Sequence, residues 1–234
     1  MTDSALRELA DDPSSRKRFF KMLGGAGAVS AATVLIAACG DDKKKNTTTA
    51  GAAASTKNAD ADNASDLKIV NYALTLEYLE ATFYQEVLDS GVIKDKKIGD
   101  LAKALADTEQ QHVDALIATA KSLGGTPATK PKTKFQDTIA KGATTILMTA
   151  ATVENLGAAA YLGQAGNIKS KDILAAALSI HSVEARHAAA LNMLVGRGFG
   201  DGKGGLEGSL PDGAFGKPMD MAAVLKAVAP FIAS

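Results

Sequence analysis

Glu184-Ala-Arg-His187 puts a carboxylate and an imidazole three residues apart. On a helix the two stand about 60° apart around the axis and about 4.5 Å apart along it, so both reach one point in front of one face. An oxygen donor and an imidazole there suit a borderline transition metal such as iron, manganese or zinc. A single pair of this kind is weak evidence, because two polar residues at helical spacing usually form a solvated face. The chain holds a second pair, Glu109-Gln-Gln-His112, and has only three His and eight Glu among 234 residues. With Glu scattered at random, two of three His would follow a Glu at this spacing in roughly three sequences per thousand.

The surroundings of the two pairs also match. Glu109 to Leu116 and Glu184 to Leu191 share E-x-x-H-x-x-A-L. Upstream, Glu77 to Tyr84 and Glu154 to Tyr161 share E-x-L-x-A-x-x-Y. The offsets are 77 residues (154 − 77) and 75 residues (184 − 109). One helix pair is therefore used twice, an internal repeat.

Outside the repeat, 26 basic residues balance 26 acidic ones, which gives no nucleic-acid footprint. Alanine-rich sequence without Trp and with six Pro favours helices. One Cys excludes an internal disulfide framework. Residues 1–39 read as an export signal: Arg16, Lys17, Arg18 and Lys21, then a small and apolar run from Gly24 to Ala38. That run is shorter than the roughly 20 apolar residues of a membrane span. Ile36-Ala-Ala-Cys39 resembles a bacterial lipoprotein box, which implies cleavage before Cys39 and lipidation there. Ser15-Arg-Lys-Arg-Phe-Phe-Lys21 resembles a twin-arginine signal with Lys17 in the second Arg place, so general secretion and folded export both stay open. Residues 40–65 lack apolar periodicity and read as a disordered tether. The expected place of the protein is thus outside the cytoplasm, lipid-anchored to the cell envelope at the outer face of the cytoplasmic membrane or on the periplasmic side.

From Asp66 apolar residues recur at helical spacing. The pattern predicts helices over about 66–89, 98–123, 135–166 and 170–194, with Asp66 or Ser65 capping the first. Short connections make the first and last pairs antiparallel. The connection from Gly124 to about Asp137 can reach the length of a bundle, up to about 46 Å when extended. The class is all-α: a four-helix bundle over 66–196 with one long crossover between helices 2 and 3. A Gly-rich loop and a short helix from Met221, capped by Asp220, fill 197–234 and are expected across one end. Packed side by side, the four helices place Glu77, Glu109, His112, Glu154, Glu184 and His187 in one layer. Such a layer is costly unless something satisfies it, and a pair of metal ions does so.

With these residues in place the chain resembles the ferritin-like superfamily of di-metal carboxylate bundles. One Glu comes from each of two helices, Glu77 and Glu154, and a Glu-x-x-His from each of the others. Ala73-Leu-Thr-Leu-Glu77, Glu184-Ala-Arg-His187 and the tail Phe215 to Ile232 resemble the bacterial ferritin-like domain related to plant desiccation-associated proteins. The resemblance implies that the six residues bind two metal ions, with iron the leading candidate and manganese, or one of each, the alternative. It implies Fe(II) oxidation, or reduction of dioxygen or peroxide as partner substrate, with the six as catalytic ligands. A tethered lipoprotein does not suit a closed storage cage, though a smaller oligomer stays open. The competing class is a non-catalytic stress-protective or envelope-interaction protein with a structural metal. Tyr84 and Tyr161 read equally as hydrogen-bond or electron donors to the site and as core tyrosines. Glu80 reads as a solvated Glu before an extra ligand, and His181 as a core His before a seventh ligand.

Overall fold

The computed structural model describes residues 50–198, 208–210 and 213–233. The segment expected to be an export signal, Cys39 and the start of the expected tether lie outside the described residues. The elements are α1 (Ala50–Ser90), α2 (Lys96–Ser122), α3 (Gln136–Ala140), α4 (Ala143–Ala165), α5 (Lys171–Leu194) and α6 (Met221–Val228), followed by a 3₁₀ turn, Ala229–Phe231. Among the described residues no helix is long and apolar enough to cross a membrane.

Helix α1 begins sixteen residues before the expected start, inside the stretch read as disordered. Residues 50–64 are rich in Ala, the strongest helix former, which suits a helix that starts this early. Residues 60–64 are exposed, and burial begins at Ser65 and Asp66. Asp66 does not cap α1. Its buried carboxylate accepts from Lys169 N and Ser170 N, both at 2.8 Å, and so fixes the turn into α5. Asp95 caps α2, Ser170 caps α5 and Asp220 caps α6. The third predicted helix is broken. Gly142, at φ +92°, separates the short α3 from α4 in a conformation that L side chains rarely adopt.

Helices α1 and α2 pack as one hairpin, α4 and α5 as the other, with α1 against α4 and α2 against α5. Residue pairing sets the directions. Tyr84 meets Glu154 while Tyr161 meets Glu77, so α1 and α4 run antiparallel. Since α1 and α2 also oppose each other, α4 runs parallel to α2, which is the crossover expected from loop length. The crossover runs along α1: Asn71 holds Thr126 O and Ala128 N near its start, and Glu86 takes Thr133 and Gln136 further on.

The C-terminal segment lies along the flank, not across an end. Met219 N donates to Ala159 O at 3.1 Å, Val224 and Val228 join the core, and Phe231 stacks on Phe135 at 5.3 Å. Phe135 in turn packs on Phe83, ring centres 4.9 Å apart. The close approach rests on Gly163, where an added Cβ would stand 1.9 Å from Met219 O. Backbone cannot swing aside as a side-chain tip can. Gly163→Ala is therefore expected to lift the segment off α4 and cost about 1–3 kcal/mol. Chemical denaturation reads the loss, and hydrogen exchange over 219–228 should rise with it. Unchanged protection there would show that the contact is not needed.

Candidate metal centre

Glu77, Glu109, Glu154 and Glu184 are each 0% exposed and lie at one level of the bundle interior. The helical spacing of each pair aims both of its side chains inward. The antiparallel registers bring the pairs together: His112 Nδ1 lies 3.0 Å from Glu109 and 3.1 Å from Glu184, and His187 Nδ1 lies 2.8 Å from Glu109. The single glutamates have matching settings. Glu77 takes the Tyr161 hydroxyl on Oε1 at 2.5 Å and faces His112 through Oε2 at 3.2 Å. Glu154 takes the Tyr84 hydroxyl on Oε1 at 2.5 Å and faces His187 through Oε2 at 3.2 Å. Each tyrosine thus serves the glutamate of the other half.

The atoms fall into two groups. Glu77, Glu109, His112 and Glu184 form one; Glu109, Glu154, Glu184 and His187 form the other. Glu109 and Glu184 belong to both, as bridging carboxylates would. Three carboxylate oxygens surround His112 Nδ1 within 3.2 Å, and one N–H cannot serve three acceptors. Spacings near 3 Å match ligand atoms at the corners of an octahedron with bonds of about 2.1 Å. Both oxygens of Glu184 lack a hydrogen-bond partner, as does Glu109 Oε1, which His187 approaches without alignment for a hydrogen bond. Orphaned buried oxygens of this kind are what a cation would satisfy. The cluster could hold metal ions, and its donor set of carboxylates and imidazoles suits a transition metal such as iron, manganese or zinc.

Without metal, protons take up the imbalance. Burial and the neighbouring carboxylates push Glu184 well above the usual carboxylate range, and burial with Glu154 pushes Glu109 up to about 7. Burial works against charge on the imidazoles, but the surrounding carboxylates outweigh it, raising His112 strongly and His187 to about 9. Burial also raises Glu77, yet His112 beside it brings the net shift below the ordinary value. Burial, then the facing glutamate, keeps Tyr84 and Tyr161 protonated and so able to donate.

All six expected ligands are brought together, and both tyrosines touch the site. His181 does not: its Nδ1 donates to Ala158 O at 2.9 Å. Glu80 departs from its expectation as a solvated residue. It is 4% exposed, and burial with Glu184 and the other site carboxylates raises it well above the usual range. The repeat held the signal, since its counterpart, Gly157, leaves room opposite. Sequence reasoning also passed over Asn155 and Asn192, buried side chains that exchange amide hydrogen bonds at 3.1 and 3.2 Å and tie α4 to α5.

A bundle with one Glu from each of two helices and Glu-x-x-His from each of the other two is the architecture of the di-metal carboxylate class. The chain belongs to the ferritin-like domain family, whose profile matches residues 65–197. Comparison with curated proteins gives no match.

Proposed function

We propose that the protein is an exported, lipid-anchored di-iron carboxylate protein that oxidises Fe(II) or reduces dioxygen or peroxide. The observation that carries the reading is the pair of four-residue groups sharing Glu109 and Glu184. A bound pair of redox-active ions would supply the electrons for that reduction. The chain's own residues do the rest. Glu109 and Glu184 would serve both ions, while Glu77 with His112 and Glu154 with His187 would each serve one. Tyr161 and Tyr84 pin the single glutamates from behind, so each presents one oxygen inward. The bundle walls bury the four glutamates completely, and an apolar cavity lined by Ile69, Val70, Leu116 and Ile180 borders Tyr161, the residue that holds Glu77. The expectation of export and anchoring rests on the basic start, the apolar run and Cys39.

The test is oxygen uptake by the purified chain. Loaded anaerobically with two Fe(II) per chain, it is expected to consume dioxygen in a burst far faster than free Fe(II) at the same pH. Tight binding of metal without such uptake, with dioxygen or with peroxide, would sink the catalytic reading in favour of a structural metal in an envelope protein.

A further inference from the structure

Among the differences between the two halves of the repeat, one lies against the site itself. Position 80 of α1 is Glu, and the matching position of α4, 77 residues on, is Gly157. A Cβ on Gly157 would stand 2.9 Å from Glu80 Oε1 and 2.7 Å from Glu184 Oε2. The Glu80 carboxylate therefore fills the space that a side chain at 157 would take, and it shares that space with an oxygen of a bridging candidate. Its Oε2 is buried and has no hydrogen-bond partner. The walls on that side are Leu79, Phe135, Leu156, Val228 and Phe231, which carry no polar side-chain atom to answer it.

Charge counting gives this carboxylate a use. Four ligand carboxylates neutralise two divalent ions and leave two positive charges on a trivalent pair. Net charge held in a water-poor interior is expensive. A fifth carboxylate halves the excess on the trivalent pair and is surplus for the divalent one. We propose that Glu80 is a seventh protein ligand, a fifth carboxylate that joins the metal pair beside Glu184, makes the two positions unlike and favours the oxidised pair. This rests on the di-metal reading above. Gly157 is then part of the site by subtraction: any side chain there would meet both Glu80 and Glu184.

The test compares the full chain with Glu80→Gln, which keeps the shape and removes the charge. Both are loaded with 57Fe(II) anaerobically and followed by iron content, Mössbauer spectroscopy and a redox titration. In the unaltered chain, two irons in two distinct environments are expected. In Glu80→Gln two irons should remain, with one bound about tenfold more weakly. The two environments should converge, and the midpoint potential should rise because an anionic ligand of the trivalent pair is gone. Unchanged affinity, spectra and potential in Glu80→Gln would overturn the assignment and leave Glu80 a buried protonated acid. An unaltered chain that binds no iron would take down the di-metal reading itself, an outcome separate from the first.

Discussion

Glu184→Gln is expected to empty both metal positions while leaving the melting temperature of the metal-free protein within a few degrees. The two halves of that expectation have different causes. Glu184 belongs to both four-residue groups, so its loss removes a ligand from each. A Gln side chain offers one carbonyl oxygen and no charge where two anionic oxygens are needed. Affinity at each position should fall by at least about 100-fold, since even residues behind the ligands are worth 10–100-fold. The metal-free protein is expected to change little, because burial and the neighbouring carboxylates already push Glu184 toward its neutral form. Glu77→Gln supplies the contrast. Glu77 belongs to one group only, so about one ion per chain should remain. Metal content after anaerobic loading and desalting reads both. One ion left in Glu184→Gln and none in Glu77→Gln would refute the sharing scheme.

The second large effect is on stability. Between about pH 5 and 9 the metal-free protein is expected to melt at steadily lower temperature as pH rises. Glu109 and His187 both titrate higher in the folded protein than in the unfolded chain, at about 7 and about 9. The folded state thus holds more protons, and stability falls as they leave. Glu109 contributes across the window from its ordinary value of 4.5 up to about 7, a loss of order 3 kcal/mol. His187 contributes from 6.5 up to about 9. Glu77 is shifted the other way, and its effect lies below its ordinary value of 4.5, outside the window. Metal reverses the trend. Ligation needs carboxylates and neutral imidazoles, so binding releases protons and tightens with pH. With redox-inert Zn(II) in excess, the gap between loaded and free melting temperatures should be small at pH 5 and widest near pH 8. At a thousandfold excess over the dissociation constant it is worth about 4 kcal/mol. Calorimetry over that range checks both curves, and parallel curves would contradict the proton-filled site.

The bundle and its six inward residues were legible because two strong patterns coincided. Glu-x-x-His fixes a direction on a helix, and the 75- and 77-residue offsets match direction to direction. The length of the Gly124–Asp137 connection then set the crossover. What stayed hidden depends on neighbours that no local pattern names. Residues 50–64 lack apolar periodicity, yet they are rich in the strongest helix former and α1 runs through them. Asp66 looks like a cap and is a tertiary anchor, because its partners are about a hundred residues away. Glu80 looks like a surface residue until Gly157 is placed opposite it. The C-terminal helix carries an apolar side that fits an end or a flank equally well, and the backbone notch at Gly163 selects the flank.

The crossed contacts have a bearing on how such a centre can be put together. Tyr84 reaches Glu154, Tyr161 reaches Glu77, His112 meets Glu184 and His187 meets Glu109, and every one of these spans the seam between the hairpins. Each hairpin is half a complement: two carboxylates, one imidazole and one phenol. Two copies of a single hairpin, paired about a dyad, would assemble the same six ligands as a homodimer. Such a dimer could not own Glu80, because symmetry would set a second Glu80 in the place of Gly157, and the two carboxylates would contend for one space. Joining the halves in a single chain is what allows one side to gain an acid and the other to give up its side chain.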